Sequence, residues 1–368
     1  MKYLVISDIH LGHRRNKIED IIKNLEIFFK DNEELFKNLN MIFLAGDVYD
    51  RLLSHPSNES ILSLHWLYDL ALFCKKNKIK LRILEGTPSH DWKQIKVFEK
   101  SIKKLITNLD FKYIESLSIE YIKDFNIYIL YVPDEWKEDT KDTVKDIKNL
   151  LIENNINKVD IAIMHGQFDY QLPIKLEKVS FKEQDILNLV NGWINIGHIH
   201  TMSAFNRIIA QGSFDRLAHG EEEPKGAMLM EYYKDIIENK YMFLENKNAK
   251  IFKTIKIKKF TKNVFLKLDK ELNKLPNDSY VRLEINYNEN LLKDIDTILK
   301  RYPFLNISKK IIKKEEDNII DFNKEINMDN FIINKNNIKD VIEKRLKLKK
   351  HNKNIIDKCI KHLEQYII

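Results

Sequence analysis

Short apolar runs alternate with longer stretches of helical periodicity through much of the first two hundred residues. Lys2-Tyr3-Leu4-Val5-Ile6, Met41-Ile42-Phe43-Leu44-Ala45, Leu81-Arg82-Ile83-Leu84 and Ile161-Ala162-Ile163-Met164 are each too short for a stable helix and mostly free of polar residues. Their length and composition predict strands buried on both faces, with several of the intervening segments helical. That order predicts an α/β fold.

Polar clusters follow these strand-like runs. They are Ser7-Asp8-Ile9-His10, Gly46-Asp47-Val48-Tyr49-Asp50, Gly86-Thr87-Pro88-Ser89-His90-Asp91, Met164-His165-Gly166 and Asn195-Ile196-Gly197-His198-Ile199-His200. In open α/β sheets ligands gather beyond the carboxyl ends of the strands, so the clusters are expected to converge. Residues i and i+2 of an extended segment point the same way, which places Asp8 with His10 and His198 with His200. Carboxylate oxygen and imidazole nitrogen together suit divalent ions such as manganese, iron or zinc. Two such ions sharing a carboxylate activate water and clamp a phosphate, so the implied reaction is phosphoester hydrolysis.

Singly, each cluster has an ordinary reading. An Asp-x-His pair often only caps or hydrogen-bonds, Asp47 is placed to cap a following helix, and His165 fits a satisfied buried histidine. Five clusters in this order favour a shared site over that account.

The ordered set Asp8-x-His10, Gly46-Asp47-x-x-Asp50, Gly86…Ser89-His90-Asp91, His165-Gly166 and Gly197-His198-x-His200 resembles the motifs of calcineurin-like metallophosphoesterases. Asp8-Ile9-His10-Leu11-Gly12, with Gly212-Ser213-Phe214-Asp215-Arg216, Gly220-Glu221 and Lys225-Gly226, resembles in particular the SbcD-type DNA exonuclease subunits. The resemblance implies that Asp8, His10 and His200 ligate a first metal, that Asp47 bridges to a second, and that His165 and His198 serve the second. It implies that His90 acts beside the scissile phosphate, with Asp91 holding its ring in one tautomer, and that Asp50 orients a ligand or a substrate group. The family's third motif is Gly-Asn-His-Asp or Gly-Asn-His-Glu, with the asparagine on the second metal. Here Ser89 precedes His90 and is the expected replacement ligand, so the second site is expected to be weaker, water-filled or completed from elsewhere. The expected cofactors are two divalent ions, Mn2+ first, with Mg2+, Fe2+ or Zn2+ as alternatives.

His13, Arg14, Arg15 and His55 read equally as solvated loop residues and as contacts to a phosphate backbone. Trp92 and Lys93, directly after the third motif, read as stacking and phosphate-contacting groups, or Trp92 as an aromatic packed beneath its loop. The formal charge of +7, from 62 Lys and Arg against 55 Asp and Glu, permits an anionic polymer partner without requiring one. Cys74 and Cys359, far apart in apolar helical patterns, read as reduced core thiols and point to a cytoplasmic protein. The opening strand is too short for a signal sequence, and no apolar stretch has the length to span a bilayer.

The pattern changes near residue 250. Met228-Leu229-Met230 and Tyr241-Met242-Phe243-Leu244 are the expected closing strands of the first unit, residues 1–250. A small α+β module over 251–315 follows, with strands at Lys250–Ile257, Tyr280–Ile285 and Phe304–Ile307 and a helix over Leu291–Leu299. In SbcD-type nucleases such a module caps the active site and holds DNA; alone, its lysine-lined strands read as DNA contacts or as protected sheet edges. Lys309–Asp321 reads as a charged linker. Beyond it, in the remainder of 316–368, Ile338, Val341, Ile342 and Leu346 form one helical stripe and Ile355, Ile356, Cys359, Ile360, Leu363 and Ile367 another. The resemblance implies docking of these helices on an SbcC-like coiled-coil ATPase, with a homodimer; packing on the chain's own cap is the alternative.

The expectation is thus a calcineurin-like metallophosphoesterase sandwich with a small capping domain and C-terminal helices, acting as the DNA exonuclease/endonuclease subunit of a recombination and repair complex. The alternatives are a phosphatase or phosphodiesterase for a small substrate, and a non-catalytic DNA-binding scaffold.

Overall fold

The structure, a computed structural model, describes residues 1–134, 137, 139–172, 179–234, 240–257, 262–286, 295–312 and 358. Its strands are β1 (Lys2–Ile6), β2 (Met41–Ala45), β3 (Lys80–Leu84), β4 (Phe111–Ile114), β5 (Ser118–Ile122), β6 (Ile127–Val132), β7 (Ile161–His165), β8 (Ile194–Gly197), β9 (Ser203–Phe205), β10 (Ile208–Ala210), β11 (Gly226–Glu231), β12 (Lys240–Glu245), β13 (Phe252–Ile257), β14 (Tyr280–Asn286) and β15 (Asn306–Ile312). The first sheet runs β12-β11-β1-β2-β3-β4 and the second β5-β6-β7-β8-β10-β9. β1 to β4 are mutually parallel, as are β6, β7 and β8, so the carboxyl ends within each set lie together.

Alternation along β1 explains the layering. Leu4 and Ile6 pack with helices Ile18–Asp31, Asn58–Asn77 and Ile95–Leu105 on the outer face. Tyr3 and Val5 point the other way and join Ile129, Ile161 and Ile163 of the second sheet. A third cluster covers the far face of the second sheet with helix Thr140–Glu153. The fold is therefore mixed α/β, two large mixed sheets flanked by helices. Cys74 is buried in its helix, as expected, and burial pushes its thiol up.

Arg82 sits among the apolar residues of β3 and is buried, yet it faces the second sheet. Its guanidinium grips Glu120 of β5 at 2.9 and 2.8 Å and Asp110 at 2.7 Å, and Tyr131 donates to Glu120 at 2.8 Å. Burial would raise the Glu120 carboxyl, but bonds from Arg82, Lys112 and Tyr131 hold it below the usual carboxylate range. Two sheets are thereby tied by a bidentate ion pair.

β13, β14 and β15 form a separate parallel sheet with a core of its own around Leu268, Leu272, Val281, Leu283 and Ile285. This corrects the α+β expectation. Parallel neighbours need long crossovers, and helix Lys262–Leu272, not foreseen in the sequence, supplies one between β13 and β14. The linker expectation also gives way at its start: Lys309 and Lys310 lie within β15, paired with Leu283 and Glu284, and the strand begins at Asn306 instead of Phe304. Of the helix expected over Leu291–Leu299, residues 295–299 are described and helical. The chain divides into compact units Met1–Ile312 and Lys313–Ile368. The remaining linker and both C-terminal stripes, with Cys359, lie outside the described residues. No described helix is long and apolar enough to cross a membrane.

Glu120→Gln is expected to lower stability by about 1.5–3 kcal/mol near neutral pH, because it removes one of the two carboxylates that hold a buried guanidinium and leaves Asp110 as the other. Since the folded carboxyl titrates below its ordinary value of 4.5, its contribution is present above that value and is lost as pH falls through the folded one. Urea unfolding at pH 7 and pH 3 checks this: the gap between wild type and variant should narrow at the lower pH.

Candidate metal centre

The polar clusters meet beyond the carboxyl ends of the parallel strands. β1 leads to Asp8 and His10, β2 to Asp47 and Asp50, β3 to Thr87 and His90, β7 ends on His165, and β8 leads to His198 and His200. Their ligand atoms fall into three overlapping groups, each spanning no more than 4.8 Å: Asp8, His10 and His200; His10, Asp47 and His90; and Asp47, His165 and His198. Asp47 belongs to two of them.

Local backbone departs from the extended geometry expected at the strand ends. Asp8, His10, Asp47 and His198 all have positive φ, at 51°, 54°, 50° and 99°. Each such residue costs of order 1–3 kcal/mol and persists only where its surroundings fix it. Here Asp8 N donates to Gly46 O and His10 N to Asp47 O, both at 3.1 Å. Asp8 and His10 reach one group through this left-handed turn. His198 and His200, expected to face together, diverge to separate groups.

Asp47 is almost fully buried and surrounded by donors. Thr87 N lies 2.6 Å from Oδ1, His165 Nε2 3.2 Å from Oδ1, His90 Nδ1 2.9 Å from Oδ2, and Thr87 Oγ1 3.1 Å from Oδ2. Burial alone would push the Asp47 carboxyl up. The charge and hydrogen bond of His165, the His90 bond and the charge of His10 overcome it and hold the group well below the usual carboxylate range. Burial likewise pulls His165 down, but Asp47 dominates and pushes it up to about 10. His198 is lowered by burial and by the neighbouring His165 charge.

The outer contacts differ between the groups. Asp50 Oδ1 lies 3.1 Å from His10 Nδ1, in the orienting place expected of it. Glu221 Oε1 lies 3.2 Å from His200 Nδ1, and the Glu221 carboxyl, despite burial, is held down at about 2 by His200 and Lys225. Lys225, fully buried, donates to the His200 carbonyl at 2.8 Å. Thus the Gly-Glu and Lys-Gly elements brace His200, a role the sequence reading had not assigned. His165 Nδ1 instead meets the Ala45 carbonyl at 2.8 Å.

Ser89 is not part of the cluster. Its side chain is exposed and its carbonyl accepts from Trp92 Nε1 at 2.7 Å. The hydroxyl that enters is that of Thr87, 3.4 Å from His165 Nε2 and 3.3 Å from His198 Nδ1. Thr87 directly follows Gly86, and Pro88 and Ser89 open the short helical turn Pro88–Asp91 that carries His90. Asp91 is corrected too: its oxygens accept from Tyr49 N at 2.8 Å and Gly86 N at 2.7 Å, so it fixes loops, and the tautomer-setting partner of His90 is Asp47. Burial, with Asp47 and Glu85 nearby, raises the Asp91 carboxyl well above the usual range. Asp134, also missed, lies within electrostatic reach of His165, Asp47 and His90 and is raised by burial.

Among the residues expected on DNA, His13 is half-buried and close enough to Asp50, His10 and Glu221 to feel their charges. Arg14 and Arg15 are exposed. Arg15 lines a cavity of about 520 Å³ with His219, Tyr280 and Arg282, bringing loops after β1 and β10 beside the β13–β15 sheet. His55 is exposed with its ring held by Ser60 at 2.6 Å, and Lys93 is exposed and paired with Glu115 at 3.5 Å. Nothing brings His55 to the cluster. Trp92 is 55% exposed, so it is not packed beneath its loop.

No family model matches the chain, and no curated protein matches it. One solved crystal structure superposes with a TM-score of 0.40 at 10% identity, over 66% of this chain and 98% of that one. A likeness at that level carries no functional information.

A Cβ on Gly86 would lie 2.0 Å from Asp47 N and 2.4 Å from Asp47 Oδ1. Gly86→Ala is therefore expected to displace Asp47 and cost about 1–3 kcal/mol through overpacking. Chemical unfolding measures the loss; an unchanged midpoint would show that the loop yields freely.

Proposed function

We propose that this chain is a two-metal DNA nuclease of the calcineurin-like metallophosphoesterase type, the nuclease subunit of an SbcCD-like recombination and repair complex. The observation that carries the reading is the pair of three-residue Asp/His groups, Asp8–His10–His200 and Asp47–His165–His198, joined by a third, His10–Asp47–His90, that shares one residue with each. The residues suit divalent ions. His10 Nε2 is buried without a hydrogen-bond partner while its Nδ1 is held by Asp50, so an unused imidazole nitrogen faces the cluster. The Asp and His donors of both groups are carboxylate and imidazole, the set that suits manganese, iron or zinc, with the Thr87 hydroxyl beside the second.

Asp8, His10 and His200 with Asp47 would hold one ion, and Asp47, His165 and His198 with Thr87 the other. When bound, the ions supply Lewis-acid polarisation of a phosphate and acidify the attacking water. Asp50 and Glu221 fix the rings of His10 and His200 from behind. His90, hydrogen-bonded through Nδ1 to Asp47 and only partly buried, keeps Nε2 without a hydrogen bond among the described residues. The Asp47 bond also raises the His90 pKa, which favours an Nε2–H able to protonate the leaving oxygen.

A DNA substrate is favoured over a small diester by the cavity lined by Arg15 and Arg282. Neither arginine side chain is paired with a carboxylate among the described residues, and both lie close enough to lower the His219 pKa, after burial. Cations left unpaired at a seam beside His13 suit a phosphate backbone. The exposed Trp92 face, beside His90, suits a stacked base. The ATPase partner, the homodimer and the cytoplasmic setting enter through the family resemblance.

Purified full-length protein is expected to cut end-labelled DNA with manganese, and to stop on chelation. Asp47→Ala and His90→Ala should each slow cleavage by about 100-fold or more. Absence of cutting by the wild type, with or without a candidate ATPase, or variants that cut at the wild-type rate, would contradict the proposal.

A further inference from the structure

The two groups around Asp47 are unequal in how they are backed. At Asp8, His10 and His200, both imidazoles rest on carboxylates, Asp50 behind His10 at 3.1 Å and Glu221 behind His200 at 3.2 Å. Asp8 adds a carboxylate belonging to that group alone. At Asp47, His165 and His198, Asp47 is the one carboxylate of the group; Asp134 lies within electrostatic reach but bonds neither ring, and His165 Nδ1 rests on a neutral carbonyl, that of Ala45. Among the described residues a further oxygen beside this second group is the neutral Thr87 hydroxyl, within 3.1 to 3.4 Å of Asp47 Oδ2, His198 Nδ1 and His165 Nε2.

Carboxylates behind ligating histidines raise their basicity, and outer partners of this kind are worth about 10- to 100-fold in metal affinity. A hydroxyl has lone pairs to offer but no charge. We infer that the two cation positions differ in affinity by about 10-fold or more, that the Asp8–His10–His200 position fills first, and that Thr87 sets the affinity of the second. This rests on the two-metal reading and adds an order of filling and the residue that controls it. Thr87 N also donates to Asp47 Oδ1 at 2.6 Å through the backbone, a contact that side-chain replacement leaves in place. The hydroxyl can therefore be tested apart from the loop.

The test is a manganese titration of the full chain without substrate, following free Mn2+ by electron paramagnetic resonance. The wild type should give two steps separated by about 10-fold or more. Thr87→Val, close to isosteric, should weaken the second step and leave the first. Thr87→Asp should tighten the second and close the gap. His200→Ala should remove the first step selectively, and melting temperatures of all variants confirm folding. Two equal steps in the wild type, or a second step unmoved in both Thr87 variants, overturn the inference and leave the two-metal reading standing. No manganese bound by any folded variant overturns both.

Discussion

Asp47 is a carboxylate taken out of water, and the arrangement around it follows from what that requires. An isolated buried carboxylate costs several kcal/mol, and it persists ionised only where donors and positive charge surround it. His165 and His90 approach from two sides, and the Thr87 amide and hydroxyl complete the shell. These partners come from β3's end and from β7, while Asp47 itself follows β2, so one side chain couples the two sheets at their carboxyl ends. The same need for positive charge makes the place suited to cations.

Holding the carboxylate there requires a backbone that ordinary strands do not provide. The left-handed conformations at Asp8, His10 and Asp47 turn the side chains inward just past the sheet. Gly46 and Gly86 leave room: a Cβ on Gly46 would come within 2.2 Å of His165 Nδ1. Asp91, one layer further out, anchors the Tyr49 and Gly86 amides and so sets the two loops that frame Asp47. Strain at the centre is thus fixed by hydrogen bonds from the loops around it.

The strands and the converging residues were legible in the sequence because both depend on local signals. Short apolar runs mark buried parallel strands, and the polar residues after Ile6, Ala45, Leu84 and Met164 mark their carboxyl ends. What was not legible depends on three-dimensional placement. Ser89 and Thr87 are both hydroxyl residues of one loop, and only the turn at Pro88–Asp91 decides which enters the cluster. Asp91 follows His90 directly but binds backbone amides elsewhere. Glu221 stood in a recognised element, yet its bond to His200 depends on how the chain after β10 returns. In the small sheet, alternation along Tyr280–Ile285 identified a half-buried strand but could not distinguish a parallel neighbour from an antiparallel one.

In the proposed two-metal centre Asp47 lies between the two cation positions. The most direct measurement is anomalous X-ray scattering at the manganese edge from crystals of the full chain soaked in manganese. Two peaks flanking Asp47, one on the side of Asp8, His10 and His200 and the other on the side of His165, His198 and Thr87, are the predicted result. No peak at Asp47, or manganese bound only elsewhere, would contradict it.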